Sequence, residues 1–135
     1  MSIADDLVSL QTGGIVVSAG PVLVDEEAEN RYMWGYYLCI ENNSNDKIQI
    51  LSKEFNITDD RGNSYLENGL GFNGEIPELE PGEYFEFSDS APINSAYAVL
   101  YGTCRIVKEK CNQIKDIKIP AVNLIGNINY DSSVN

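Results

Sequence analysis

The segment Gly69-Leu70-Gly71-Phe72-Asn73-Gly74 has the spacing G-x-G-x-x-G. In dinucleotide-binding proteins this spacing lets the backbone approach a pyrophosphate at the start of a helix. Prolines at positions 77 and 81 follow, and proline is excluded from helix interiors. The helix that the fingerprint needs is therefore not expected.

Two interpretations of Gly69, Gly71 and Gly74 remain. They either shape a loop that needs positive φ, or form a nest of backbone N–H groups that binds a small anion. Residues 67–89 contain seven acidic side chains and no basic one. An anionic ligand is therefore disfavoured, and we expect at least one of these glycines at positive φ.

Acidic groups at residues 25–29 and at Asp59-Asp60 offer the oxygen ligands that Mg²⁺ and Ca²⁺ prefer, but neither has the spacing of a calcium-binding loop. The chain contains no histidine, so it lacks Ser-His-Asp and Cys-His pairs, and cobalt prefers nitrogen or sulfur donors. We expect no metal, no cofactor and no enzymatic activity. The acids are interpreted as a solvated surface.

The 135 residues include 21 acidic and 9 basic side chains, a formal net charge of −12. This length fits one domain. The negative charge disfavours nucleic acid and anionic membranes as partners. The N-terminal residues contain no signal or membrane-spanning pattern, and the odd number of cysteines, three, favours a reducing compartment, so we expect the cytoplasm.

Apolar residues alternate with period two along most of the chain, which predicts an all-β, two-sheet sandwich of seven to eight strands. We assign residues 1–14 to an N-terminal extension, 15–126 to the sandwich and 127–135 to a flexible tail. The predicted strands span residues 15–24, 31–41, 47–58, 64–67, 84–88, 97–108 and 114–120.

Within these strands, the alternation predicts that Trp34 and Tyr36 are core residues, together with Tyr32, Leu38 and Ile40. The apolar positions of strand 47–58 change from even to odd, which predicts a β-bulge near Leu51-Ser52. Pro21 predicts an edge strand or a bulge, and residues 25–30 an acidic loop.

Cysteines 39 and 104 lie on strands that an immunoglobulin-like disulfide would join. Cys104 shares the inward positions of Leu100 and Ile106, whereas Cys39 alternates with the core residues of its strand. The two side chains should therefore point away from each other, and we expect three free thiols.

Surface candidates come from the positions that alternate with the core. Tyr37 and Tyr101 occupy such positions and are candidates for an exposed apolar patch that binds a partner. Arg105 and Lys108 belong to a basic hairpin with Lys110, Lys115 and Lys118. This hairpin either pairs with the protein's own acids or docks an acidic partner or a second copy.

Four strings resemble the ApaG family in order and spacing, from about residue 15 to about residue 125: RYMWGYYLCIENNS, ILSKEFNITDDRGN, GLGFNGEIPELEPGEYFEF and AVLYGTCRI. Residues 52–55 are Ser-Lys-Glu-Phe where the family has Ser-Arg-His-Trp, and residues 89–92 are Asp-Ser-Ala-Pro where it often has Ser-Gly-Cys-Pro. Roles that rest on that histidine or cysteine are therefore not carried over.

The resemblance implies an immunoglobulin or fibronectin type III-like sandwich. For function it implies a non-enzymatic bacterial binding module that engages a protein partner or a second copy, because related domains occur in eukaryotic F-box proteins. The alternative is a small-ligand domain that binds a phosphorylated compound, Mg²⁺ or Co²⁺ at the glycine segment, since the family is linked to cobalt and magnesium homeostasis.

Overall fold

The computed structural model describes residues 7–28, 31–70, 74–93, 95 and 97–125. None of these ranges contains a helix with the length and hydrophobicity of a membrane span. The regular elements that they contain are β1 (Val8–Thr12), β2 (Ile15–Ala28), β3 (Arg31–Asn42), β4 (Ile48–Asp59), β5 (Ser64–Leu70), β6 (Glu78–Leu79), β7 (Tyr84–Ile93), β8 (Tyr97–Lys108) and β9 (Gln113–Ile125).

The strands form two antiparallel sheets. The first sheet has the order β1-β2-β3-β7, and the second has the order β5-β4-β8-β9 with β6 paired to β4. The all-β two-sheet prediction is confirmed. The described residues contain nine strands rather than seven to eight. The additional pairings are those of Val8–Thr12, in the predicted N-terminal extension, with β2 and of Glu78–Leu79 with β4.

The core lies between the sheets and is built from alternate residues of the long strands. Tyr36 of β3 meets Phe55 of β4 edge to face, with ring centroids 5.8 Å apart. Phe87 of β7 lies 6.3 Å from Tyr36. The predicted burial of Tyr36 is confirmed, as is that of Leu38 and Ile40. The side chains of Tyr32 and Trp34 lie outside the described part of the structure, so their burial stays a prediction.

The predicted bulge in β4 is confirmed, because the register with β8 shifts between Ile50 and Ser52. After the shift, the buried positions of β4 are odd-numbered and include Lys53. The Lys53 ammonium lies 4.4 Å from the centroid of the Phe87 ring and 5.6 Å from that of Phe55. The core therefore accommodates a cation by placing it against aromatic rings.

Strand β2 continues through most of the segment for which an acidic loop was predicted, since Asp25 pairs with Met33 and Glu26 with Tyr32. The loop prediction was wrong for residues 25–28, because the neighbouring β3 offers a ladder that charged residues can join. Pro21 lies beyond Ala19, where the described pairing with β1 ends. A register shift between Val22 and Asp25 follows, as the proline predicted.

Candidate interaction surface

The three candidate glycines do not form one loop. Gly69 belongs to β5 and lies opposite Lys53 in the ladder with β4, which corrects its placement in a loop. Gly74 is exposed in a turn at φ +85°, and the predicted positive φ is thereby confirmed. Gly71 lies outside the described residues. Strand β5 is longer than predicted because β4 continues to offer it a partner as far as Ser52.

The acids that follow the glycines face solvent or a lysine. The Lys47 ammonium lies 3.0 Å from a Glu78 carboxylate oxygen and 3.7 Å from a Glu109 oxygen. Hydrogen bonding and charge at Glu78 raise the pKa of Lys47. Within the described ranges, no three His, Cys, Asp or Glu side chains are placed together to hold a metal ion.

The cysteines are separate from one another, and all three are free, as predicted. Cys39 belongs to the first sheet and Cys104 to the second. Burial raises the pKa of Cys104 to about 12 and also raises that of Cys39. Both thiols are therefore protonated at neutral pH, which makes them poor nucleophiles.

Tyr37 and Tyr101 lie in different sheets, with Tyr37 on β3 and Tyr101 on β8. Tyr37 is on the outer face of its sheet, because Tyr36 and Leu38 on either side of it are buried. Tyr101 is on the outer face of the other sheet, because Leu100 is buried and Gly102 belongs to a bulge. The hydroxyl of Tyr37 donates a hydrogen bond of 2.6 Å to Glu86 Oε2. Burial and this bond raise the pKa of Tyr37. The two tyrosines thus cannot contribute to one patch, which corrects that prediction.

The basic hairpin is partly neutralised by its own acids. Arg105 Nε donates a 2.9 Å hydrogen bond to Asp116 Oδ1 across the β8–β9 ladder. This bond and the positive charge of the Arg105 guanidinium lower the pKa of Asp116. Lys108 lies at the end of β8, opposite Gln113 and half-buried. For Arg105, self-pairing is the interpretation that the structure supports.

The outer face of the second sheet carries a concentration of exposed apolar side chains. The register places Asn56 of β4 between Leu66 and Tyr101, and Thr58 between Ser64 and Val99. The exposed fractions on this face are 58% for Leu66, 50% for Tyr97, 44% for Tyr101 and 36% for Val99. Apolar side chains exposed together on a sheet face are typical of binding surfaces.

A shallow groove of about 600 Å³ lies at one end of this face. Tyr97, Val99 and Tyr101 are alternate residues of β8, so Val99 is flanked by the two tyrosines. Asp60 and Asn123 add polar groups to the lining. We name this surface the tyrosine groove, lined by Thr58, Asp59, Asp60, Tyr97, Ala98, Val99, Tyr101 and Asn123.

A β-bulge sets the position of Tyr101. The β8–β9 register runs from Leu100 opposite Val122 directly to Gly102 opposite Ile119, so the ladder is interrupted at Tyr101. A Cβ on Gly102 would lie only 2.0 Å from the backbone oxygen of Glu54. Only glycine fits here, and its close approach to β4 keeps the bulge in place. Bulges commonly direct a side chain at functional positions.

The turn after β4 fixes the acidic wall of the groove. Asp59 is buried, and its Oδ1 accepts hydrogen bonds from the N–H groups of Arg61 and Asn63. Although burial opposes ionisation, these bonds lower the pKa of Asp59 below its usual range. Asp60 is exposed. Its N–H donates to the Tyr97 carbonyl at 3.2 Å, and its Oδ1 accepts a hydrogen bond from Ser95.

Of the predicted surface residues, only Tyr101 lines the tyrosine groove. The prediction missed Tyr97, Val99 and Leu66, although the strand alternation contained the signal for the first two. Because Leu100, Cys104 and Ile106 point inward, the odd-numbered positions before them point outward. Asp60 has no comparable signal, since its place beside β8 depends on how the turn folds onto Tyr97.

Comparisons with known proteins agree with the family resemblance. The profile described as ApaG domain matches residues 23–108. Protein ApaG of Brucella canis is 36% identical over 119 residues, covering 86% of this chain and 91% of that protein. The crystal structure of the putative ApaA protein from Bordetella pertussis superposes with a TM-score of 0.77 at 27% identity, covering 83% of this chain and 93% of that one. A structural genomics X-ray structure, 20% identical, has a TM-score of 0.79 and covers 87% of this chain and 90% of its own.

Proposed function

Because the chain belongs to the ApaG domain family, we propose that it is a non-enzymatic binding module that engages a protein partner through the outer face of its second sheet. The observation that carries the proposal is the exposed apolar set Leu66, Tyr97, Val99 and Tyr101 on that face. Aromatic residues are enriched in protein interfaces, because a tyrosine buries a large area at little entropic cost.

The electrostatics of the groove are consistent with binding rather than catalysis. Asp59, the carboxylate with a lowered pKa there, has its oxygens bonded to its own turn and supports the fold. The described side chains of the groove offer hydroxyls, carboxylates, an amide and apolar carbons, which recognise a surface and need no activated nucleophile.

The outer face of the first sheet offers less to a partner. Tyr37 is half-buried there and its hydroxyl is bonded to Glu86, and exposed serines such as Ser88 and Ser90 lie on the neighbouring β7. Tyr84, 60% exposed, lies at the start of β7, but around Tyr37 a partner would meet small polar groups and a carboxylate. Desolvating them yields less free energy than covering tyrosine and leucine side chains.

The proposal is tested by site-specific photo-crosslinking in the native host. A photoreactive residue replaces Leu66 on the proposed face, and in a matched variant it replaces the exposed Ser88 on the opposite sheet. We expect a discrete protein adduct from position 66 that position 88 does not give.

The captured partner is then purified and titrated with the wild-type chain and with Tyr101→Asp, which places a charge among the apolar side chains. We expect binding to weaken at least about tenfold. Equal cross-linking from both faces, or unchanged affinity for Tyr101→Asp, would overturn the proposal.

A further inference from the structure

The tyrosine groove combines an apolar, aromatic lining with an exposed carboxylate. Its floor is apolar at Val99, and aromatic rings flank that floor at Tyr97 and Tyr101. At the Tyr97 end stands Asp60, an exposed carboxylate held against β8 by its N–H bond to the Tyr97 carbonyl. An aromatic ring beside a carboxylate is the arrangement that recognises an organic cation.

From this combination we infer that the partner presents an arginine side chain to the groove, with its stem over Val99 and its guanidinium at Tyr97 and Asp60. The inference rests on the proposed function and specifies the chemistry of the partner at that same surface. A guanidinium suits the site because its planar face stacks on an aromatic ring while its N–H groups pair with a carboxylate. The aliphatic stem covers apolar surface in the same pose.

Other occupants fit the groove less well. An apolar side chain would remove water from the Asp60 carboxylate without supplying a compensating charge. An acidic side chain would be repelled by Asp60 and by the net charge of −12. That charge also attracts basic segments over long range and raises their association rate.

Asp60, rather than Asp59, is the residue that meets the cation. The Asp59 oxygens accept hydrogen bonds from Arg61 and Asn63, and its side chain is buried. Asp60 uses Oδ1 to accept from Ser95, which fixes the carboxylate in place without covering the side chain. A carboxylate held in advance loses less entropy when it binds.

The test uses the full chain and a synthetic pentapeptide, Gly-Ser-Arg-Ser-Gly with blocked ends. Two matched peptides replace arginine by citrulline, which keeps the shape without the charge, or by glutamate. Binding is followed from the backbone amide NMR signals at about physiological salt. We expect the arginine peptide to shift the signals of Tyr97, Val99 and Tyr101 saturably, with a Kd of about 1 mM. The citrulline peptide should bind about tenfold more weakly.

Matched variants separate groove recognition from general attraction to an acidic protein. Asp60→Asn keeps the acceptor for Ser95 and removes the charge, and we expect about tenfold weaker binding. Tyr97→Leu removes the ring and weakens binding, whereas Tyr97→Phe retains it. The control is Glu75→Gln, which removes an exposed carboxylate outside the groove. The carbonyl of the neighbouring Ile76 accepts a hydrogen bond from Gln49 near the start of β4, whereas the groove lies at the end of that strand.

The inference is overturned if the arginine peptide shifts no groove signals, if citrulline binds equally well, or if Asp60→Asn and Glu75→Gln weaken binding equally. These outcomes differ from a failure of the proposed function. A partner that cross-links through Leu66 and depends on Tyr101 but tolerates Asp60→Asn would retain the binding surface and exclude the arginine contact.

Discussion

Gly102 and Gly74 show two different reasons why a position requires glycine. At Gly102 the neighbouring strand leaves no room, since a Cβ would lie 2.0 Å from the Glu54 oxygen. At Gly74 there is open space around a Cβ, but φ is +85°. The first constraint is steric and involves a second strand, whereas the second is local to the residue's own backbone.

We therefore predict different costs for alanine at these positions. Gly102→Ala should lower the free energy of unfolding by about 2 kcal/mol or more, because β4 and β8 must separate. Gly74→Ala should cost about 1 kcal/mol, the usual penalty for a Cβ at positive φ. Urea denaturation of both variants measures the difference. Equal effects would show that β4 and β8 adjust to the added methyl group.

Asp59 predicts a pH dependence of stability. Its pKa is lowered in the folded protein, so its charged form stabilises the fold above the unfolded carboxyl pKa of about 3.9, and this contribution is lost as pH falls through the folded pKa. Asp59→Asn should be less stable than wild type at neutral pH, and the gap should narrow below about pH 4. Urea midpoints measured across this pH range provide the check.

The control for this series is Glu75→Gln, which removes an exposed carboxylate that lies outside the turn held by Asp59. It should follow wild type at every pH. If the gap between Asp59→Asn and wild type stays constant down to about pH 3, the turn depends on hydrogen-bond geometry and not on the charge of Asp59.

At the level of the element, strand β3 separates two adjacent tyrosines by the direction in which they point. Tyr36 is 1% exposed and packs against Phe55 and Phe87, whereas Tyr37 lies on the outer face. Tyr36→Ala should destabilise the fold by about 3–5 kcal/mol, because it leaves a cavity between the sheets. Tyr37→Ala should cost about 1 kcal/mol, mainly the bond to Glu86. Chemical denaturation compares the two, and a larger effect at Tyr37 would contradict the assignment of faces.

The elements that the sequence predicted well are those whose residues alternate strictly. Strand β8 was predicted with its observed bounds, and the bulge after Ile50 followed from a change of parity. Strand β2 was predicted too short because Asp25 and Glu26 are poor strand formers, and only the ladder offered by β3 keeps them extended. The burial of Lys53 depends on Phe87, a residue of the other sheet, which no local pattern reveals.

At the level of the whole molecule, the candidate site was predictable only in part. Alternation along a strand identifies Tyr101 as outward-facing, but it cannot say which sheet a strand joins. Tyr37 and Tyr101 were grouped for that reason, although the sandwich places them on opposite sides. The groove itself depends on the turn at Asp60 folding back onto β8, a contact between residues far apart in sequence.

The alternative function predicts binding of small ions by the whole protein. We expect calorimetric titration with pyrophosphate, Mg²⁺ and Co²⁺ to show no saturable binding. Gly69 is committed to the ladder with β4, and exposed acids such as Glu75 repel pyrophosphate. Among the described residues, no three acidic or cysteine side chains are placed together to hold a cation. Binding of any of these ions with a Kd below about 10 µM would contradict this and favour the small-ligand interpretation.

The pairing of β3 with β7 and of β4 with β8 has a consequence for how the protein is made. Leu38 lies opposite Phe87 in the first sheet, and Phe55 lies opposite Gly102 in the second. Each sheet therefore pairs residues that are far apart in the sequence and are synthesised at different times. While the ribosome is still synthesising β7 and β8, the β2–β3 hairpin is complete but one side of β3 and one side of β4 lack their partners. Nascent strands with open edges are prone to pair with other chains. The two sheets therefore cannot be completed before β8 has been synthesised, and the edges of β3 and β4 stay open until then.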